Sequence, residues 1–539
     1  MSILMAALLL SAWPAADAAD TPSAIAIGSR RELLVDDVLF DRLAGKAQLQ
    51  LHHPVPREVV LKTDAPWEGN ACGYPSVFQD GSVYRMYYHG GHYRHGGAAN
   101  EQRPEHPWVL CYAESDDGIH WRRPELGLCD FEGSKKNNIV LIPETAAAIQ
   151  GDPAHTSVFK DLNPNCPADS RYKCVIVGKP HGLYLLVSAD GIHFRVAGDK
   201  PVITQGAFDS ENLAFWDSCR GEYRAYWRIF TEGVANGTEW RPSGIRAIRT
   251  ATSKDLLNWT EPVDVRYVDS PPQQLYTNQI QPYYRAPHIF MGFPMRYTER
   301  SWSDSMTQLP GLEARVARYK AAPRYGTAVT DGLFMTSRDG TLFRRWNEAF
   351  LRPGPRQQGS WVYGDNLIFW GMVETASSPS DAPNELSLFA TEDYWQGNAV
   401  SFRRMTMRLD GFVSLAASAE GGELVTRPLV FEGGNLTLNA STSGAGHIRV
   451  EIQDAAGKPL PGYGLSDCEE IFGDDVARVV RWRKSGDVRP LAGAPVRLHF
   501  QLNDADLYAF QFVPYAPDPV RPDPTAPTPP TPEKPAATP

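Results

Sequence analysis

Short runs in which apolar and polar side chains alternate, each bounded by Gly, Pro, Asn or Asp, recur along this chain from about residue 25 to residue 513. Residues 82–88, 172–177, 222–227 and 366–370 are rich in aromatic and β-branched side chains and read as strands of half-buried sheets. Apolar positions at helical spacing are almost absent, so the predicted class is all-β.

One heptapeptide breaks the alternation at regular intervals. Ser115-Asp116-Asp117-Gly118-Ile119-His120-Trp121 returns as Ser188-Ala189-Asp190-Gly191-Ile192-His193-Phe194, as Ser253-Lys254-Asp255-Leu256-Leu257-Asn258-Trp259 and as Ser337-Arg338-Asp339-Gly340-Thr341-Leu342-Phe343. A strand-like run precedes and follows each copy. The Asp can bond the backbone that follows it, the Gly can take a positive φ, and the aromatic residue returns to the sheet, so the motif is a structural turn. Copies lie roughly 65 to 85 residues apart, a spacing that suits four-stranded blades with one long loop each. With a degenerate fifth copy at 388–394, residues 25–410 are predicted to form a five-bladed β-propeller. Beyond Gly411 the runs shorten to 436–439, 448–452 and 496–500, which predicts a β-sandwich over 411–513. From Pro514 to Pro539 the composition is rich in Pro, Thr and Ala, and an extended, disordered tail is expected.

The apolar run from Ile3 to Trp13, followed by Ala16-Asp17-Ala18, has the form of a signal peptide and its cleavage site, ending at Ala19. It falls short of the roughly 20 apolar residues of a membrane span. An exported protein, periplasmic or extracellular, is expected, with no membrane span. The net charge of −10 and the absence of Lys/Arg runs argue against nucleic acid as a partner. Seven cysteines without Cys-x-x-Cys spacing give no zinc signature; Cys166 and Cys174 flank a short loop and either pair or remain free.

Trp67-Glu68-Gly69-Asn70, followed by Val77-Phe78-Gln79-Asp80-Gly81-Ser82-Val83-Tyr84-Arg85-Met86-Tyr87-Tyr88, resembles the opening of the first blade in glycoside hydrolase families 32 and 43. With Glu32-Leu33-Leu34-Val35-Asp36-Asp37 and Phe159-Lys160-Asp161, the chain more specifically resembles the bacterial glycosyl hydrolase family 32 N-terminal domain-like proteins. The resemblance implies a five-bladed propeller followed by a sandwich, and a carbohydrate substrate. Family 32 enzymes carry their nucleophile in a Trp-x-Asn-Asp-Pro-Asn motif, and the matching stretch here, Trp67 to Gly73, has no such Asp. Their second-blade Arg-Asp-Pro is matched loosely by Lys160-Asp161-Leu162, and the third-blade acid by Ser210-Glu211-Asn212.

Glycoside cleavage needs two carboxyl groups flanking the bond, one protonated and one ionised. One carboxylate per blade near the funnel is therefore sought, which selects Glu68, Asp161, Asp209 or Glu211, and Glu374 or Glu385. Asp161 is read as base or transition-state stabiliser, Glu211 as acid and Glu68 as a third catalytic carboxylate. Sugar binding calls for flat apolar faces with polar neighbours. Trp67, Asn70, Tyr74, His89, His92, Tyr93, Asp209, Trp216, Tyr276, Asn278, His288, Arg296, Trp361 and Glu374 are the candidates. The tract His89-Gly90-Gly91-His92-Tyr93-Arg94-His95 reads as a loop over the funnel and not as a metal site. No cofactor is expected, and a structural calcium in the channel is left open. Two alternatives stand beside a secreted glycoside hydrolase: a non-catalytic carbohydrate-binding propeller, and a sialidase-type enzyme, which would need a nucleophilic Tyr and an arginine cluster at the funnel.

Overall fold

The computed structural model describes residues 24–93, 104–236, 238–483 and 485–517. The expected leader, Arg94 and His95 of the histidine tract, and the tail beyond residue 517 lie outside the described residues. The chain is mostly strand, with few and short helices, and no helix among the described residues is long and apolar enough to cross a membrane.

Five sheets follow one another along the chain, all antiparallel but for the edge strand Arg266–Val268, which pairs in parallel with Leu342–Arg345 in the fourth. The first runs from Gly73–Asp80 through Val83–Gly90 and Val109–Ser115 to Ile139–Leu141; the second comprises Asp152–Lys160, Tyr172–Gly178, Gly182–Ser188 and Arg195–Val196. The third comprises Leu213–Asp217, Glu222–Ala235, Trp240–Ser253 and Val263–Asp264, and the fourth contains Gln281–Tyr283, Ala286–Gly292, Met335–Ser337 and Leu342–Arg345. The fifth is Val373–Thr375, Glu385–Glu392 and Ser401–Arg408, completed by Val55–Lys62 from the other end of the chain.

The first strands of these sheets meet in sequence order. Val158 N donates to Ser76 Oγ at 3.1 Å, Ser157 Oγ donates to the Asn212 carbonyl, and Ser210 Oγ donates to the Tyr276 carbonyl at 2.7 Å. Trp370 Nε1 donates to the Ile280 carbonyl at 3.1 Å, and Trp370 N donates to the Pro75 carbonyl at 2.9 Å. The fifth sheet thus returns to the first. Apolar side chains fill the gaps between faces: Tyr87, Val158, Ile176 and Leu186 between the first and second, Phe215, Tyr226, Phe290 and Phe343 between the third and fourth, and Leu61, Tyr88, Phe389 and Phe402 between the fifth and first. Burying such side chains stabilises each contact by about 2 kcal/mol per residue.

All four copies of the repeated heptapeptide form the same turn. In the first, Gly118 N donates to Ser115 Oγ at 2.9 Å, while Ile119 N and His120 N both donate to Asp117 Oδ1 at 2.8 Å. The fourth residue of the motif takes a φ of 75°, 80°, 66° and 80° in the successive copies, and the third of these is Leu256. The turns also fasten neighbouring sheets, since Tyr87 Oη donates to the Gly191 carbonyl at 2.9 Å and Tyr226 Oη to the Gly340 carbonyl at 2.8 Å. The segment near 388–394 turns differently, with Asp393 held by Ser401 Oγ at 2.8 Å.

Three features depart from the sequence reading. Residues 25–51, grouped there with the repeats, supply Ile25–Gly28, Glu32–Leu33, Phe40–Gly45 and Gln48–Leu51 to a ten-stranded sheet whose other strands follow residue 411. Residues 366–370 make only isolated bridges, at Ile368 and Trp370. The helix Leu312–Ala321 and its short flanking helices stand between Met295–Glu299 and Ala328–Gly332, where no helix was expected; its buried positions include Arg315 and Arg318, which hid the apolar stripe. All seven cysteines are free thiols.

Candidate active site

The ends of the five inner strands differ in chemistry. At their C-terminal ends a cavity of about 730 Å³ is lined by Phe78, Phe215, Trp216, Pro282, Tyr284 and Met372, with Lys160 and Glu374 at its edge. At their heads lie Tyr74, Asp152, Asp209, Glu211 and Gln279, and there buried ionisable groups and aromatic rings converge. Perturbed ionisable groups in such a setting mark a functional site more often than chance.

Glu211 precedes the strand Leu213–Asp217 and is completely buried. Thr277 Oγ1 donates to Gln279 Oε1 at 2.6 Å, which orients that amide so that its Nε2 donates to one carboxyl oxygen of Glu211. The other oxygen, Oε1, has no hydrogen-bond partner among the described residues. Burial raises its pKa from 4.5 to about 8, against the weaker pull of Gln279. The side chain is therefore a neutral carboxylic acid at pH 7. Asn278 Nδ2 donates to the Glu211 carbonyl at 3.4 Å and helps hold this segment.

Aromatic rings surround the heads. Tyr74 stands 5.2 Å from His89 and 5.9 Å from His155, and Trp108 packs 5.0 Å from His89. On the other side Tyr93, Trp395, Tyr394, Tyr363, Tyr325 and Tyr276 form a continuous run with centroid separations of 4.8 to 6.0 Å. Burial holds His89 near pKa 4, so its ring is neutral, and its Nε2 donates to the Ala71 carbonyl at 2.8 Å. Burial pushes the Tyr276 hydroxyl up, but Arg228, a 2.6 Å hydrogen bond from Tyr363 Oη, Arg324 and Arg246 outweigh it and hold that hydroxyl below its ordinary value.

Two further carboxylates share this end. Asp209 pairs with the buried guanidinium of Arg228. Burial would raise the pKa of Asp152, yet the hydrogen bond and charge of His155, 2.9 Å away, keep it below 3.8.

The candidates from the sequence scatter between the two ends. Asn70 is buried behind the head site and braces it: its Nδ2 donates to the Tyr93 and Gly397 carbonyls, both at 3.0 Å, its Oδ1 accepts from Tyr93 N at 2.9 Å, and its carbonyl accepts from Trp395 N at 2.7 Å. Glu68 is tied by Tyr88 Oη and Arg123 Nη1, both at 2.6 Å, inside the contact between the first and fifth sheets. Trp67 packs there too, its Nε1 donating to Asn138 at 2.7 Å. Asp161 follows the far end of its strand, bonded by Lys173 at 3.0 Å and Tyr223 at 2.8 Å.

Ser157 is level with Asn212, so Asp161 lies five residues beyond the level of Glu211, about 16 Å at 3.3 Å per residue. The structure does not bring these two carboxylates together across one glycosidic bond, which requires roughly 5 to 9.5 Å. Glu374 accepts from Tyr284 Oη at 2.8 Å in the far cavity, where Trp216 also lies. His288 bonds Glu32 at 3.3 Å beside the ten-stranded sheet, and Arg296 pairs with Asp331 on an outer groove that Trp361 also lines.

Sequence reasoning missed Asp152, His155, Gln279, Arg228, Arg246, Arg324, Tyr363, Tyr394 and Trp395. Arg228 carried a usable signal, a charge inside the apolar stretch Tyr226-Trp227-Arg228-Ile229-Phe230, since a buried charge wants a partner or a function. Among the described residues no three His, Cys, Asp or Glu side chains group as a metal site.

No family model matches the chain. A stretch of 147 residues is 43% identical to the uncharacterized protein MT1551 of Mycobacterium tuberculosis (strain CDC 1551 / Oshkosh), covering 27% of this chain and 41% of that protein. The chain thus spans about two fifths of that relative's length. Similar solved structures include an N-acetylgalactosamine deacetylase from F. plautii in complex with blood group B trisaccharide (12% identity, TM-score 0.39, 67% of this chain and 96% of that one). A glycosyl hydrolase from Bacteroides ovatus (16%, 0.34, 70% and 93%) and the catalytic domain of a GH62 α-L-arabinofuranosidase from Coprinopsis cinerea (8%, 0.38, 66% and 99%) are also similar.

Proposed function

We propose that this protein is an exported glycoside hydrolase, a relative of the family 32 and 43 propeller enzymes, that cleaves a glycan at the head site with Glu211 as proton donor. The five sheets serve as blades, closed by Val55–Lys62 in the fifth. The observation that carries the reading is Glu211 itself: a buried carboxylic acid, neutral up to about pH 8, with one oxygen unpartnered, at a site walled by tyrosines. A group protonated at working pH and ready to ionise is what a leaving glycosidic oxygen needs.

Asp152, ionised and steadied by His155, is the second carboxylate in this scheme and activates water or stabilises the positive charge that develops on the sugar. Asp161, at the opposite end, takes no part. The chemistry uses side chains alone. Because Glu211 has no exposed surface, substrate reaches it only when the surrounding tyrosines turn aside.

That complete burial, together with the capture of Glu68 and Asp161 in ion pairs, favours a second reading, a carbohydrate-binding protein without chemistry. Release of reducing ends from a glycan panel by wild type, Glu211→Gln, Asp152→Asn and Asp161→Asn separates the two. The hydrolase reading expects activity in wild type and Asp161→Asn and its loss in the other two with binding retained; glycan binding without cleavage by any form establishes the second reading.

A further inference from the structure

We propose that the head site takes a sugar bearing an oxyanion, the carboxylate of a uronic acid or a sulfate ester, held by Arg228, Arg246 and Arg324. The choice of a sugar rests on the glycan reading above; the anion is argued from charge and geometry.

The three guanidinium groups come from different elements. Arg228 lies on Glu222–Ala235, Arg246 on the partner strand Trp240–Ser253, and Arg324 on the short helix Pro323–Thr327. They gather at one place: Arg228 and Arg246 stand 5.0 and 5.6 Å from the Tyr276 ring, Arg246 is also 4.7 Å from Tyr297, and Arg324 is 4.4 Å from Tyr325. All three act on the Tyr276 hydroxyl.

Negative charge to match them is missing. Asp209 pairs with Arg228, while among the described residues no carboxylate pairs with Arg246 or Arg324. Glu211 is neutral, and even an ionised Tyr276 would leave surplus positive charge. Arg315, Arg318 and Arg345 are also buried without a carboxylate among the described residues; what sets the head site apart is that three guanidinium groups act on one tyrosine hydroxyl. Donors are also left over. Arg246 Nη1 donates to Gln274 Oε1 at 3.0 Å and Arg324 Nη2 to Tyr325 Oη at 2.8 Å, but Arg246 Nε and Arg324 Nη1 are buried without an acceptor.

Buried unpaired donors on like-charged groups cost free energy unless an anion completes them. A guanidinium matches the two oxygens of a carboxylate or sulfate, and the neighbouring tyrosine faces suit the flat side of a sugar ring.

The test is calorimetric titration of the full-length protein with glucuronic acid, galacturonic acid, galactose 6-sulfate, galactose, glucose and inorganic phosphate, at two salt concentrations. Arg246→Gln and Arg324→Gln are run beside wild type, since both arginines are only partly buried. Acidic sugars are expected to bind about ten- to a hundredfold tighter than neutral ones, with the preference reduced by salt and abolished in either variant. The uronic acids against the sulfated sugar decide which oxyanion is meant.

Equal binding of neutral and acidic sugars, an unchanged preference in both variants, or phosphate binding as tightly as the acidic sugars would overturn the inference. Should a variant fail to fold, the salt dependence of the wild-type preference decides the matter. Cleavage of neutral glycans unaffected by Arg246→Gln would sink the anion site and leave the hydrolase standing; an arginine-dependent preference for acidic sugars without cleavage would do the reverse.

Discussion

Replacing Glu211 by Gln keeps the shape of the side chain and removes its ionisation. In the folded protein Glu211 holds its proton up to about pH 8, whereas in the unfolded chain it releases it near 4.5. Between these values the native state binds more protons than the unfolded state, so this group lowers stability as pH rises and its effect levels off above about 8. Each pH unit in that window costs about 1.4 kcal/mol, or about 3 kcal/mol between pH 5 and pH 7. Gln carries no such penalty. The stability of Glu211→Gln relative to wild type should therefore rise by about 3 kcal/mol over that interval, which for about 500 folded residues is a relative gain of about 3 °C in melting temperature. Scanning calorimetry of both proteins at pH 5, 6, 7 and 8 measures it. A difference between them that stays flat across this range refutes the assignment of a neutral, buried acid.

Asn70→Ala removes three side-chain hydrogen bonds, to Tyr93 N, the Tyr93 carbonyl and the Gly397 carbonyl, and should cost about 3 kcal/mol of stability along with at least tenfold in glycan affinity, read by denaturation and titration. Gly191→Ala places a methyl group at a φ of 80°, with its Cβ 2.6 Å from Tyr87 Oη, and should lower stability by about 2 kcal/mol in urea unfolding. Asp410→Ala strips a fully buried carboxylate from Arg31, Arg285, Tyr283 and Asn439, where the ten-stranded sheet meets the fourth sheet. A loss of about 4 kcal/mol is expected, with separation of the calorimetric transition into two.

What could be read from sequence was local. The Ser-x-Asp-Gly turn announces itself because Ser115, Asp117 and Gly118 satisfy one another within four residues, and the same bonds recur in all four copies. Strand alternation likewise predicted the sheets built on 82–88, 172–177 and 222–227. Glu211 was reachable because it opens a strand.

The rest of the site depends on distance along the chain. Asp152 and Asp161 lie nine residues apart on either side of one strand, and only the strand's direction and length show which end each occupies. Arg246 and Arg324 join Arg228 through a long hairpin and an inserted helix, neither of which marks the sequence with a motif. The pairing of residues 25–51 with strands beyond 411 spans almost the whole chain and leaves no periodic trace. His288 and Arg296 looked like sugar ligands by residue type, yet both are spent on carboxylates elsewhere.

The measurement that bears most directly on the central claim is the pH dependence of kcat/KM for release of reducing ends by the full-length protein, with Glu211→Gln as control. A protonated Glu211 and an ionised Asp152 predict a bell, with an alkaline limb near pH 8 and an acid limb below the ordinary aspartate range, and a fall of about a hundredfold or more in Glu211→Gln. Activity that continues undiminished well above pH 8, or that survives in Glu211→Gln, would contradict the account.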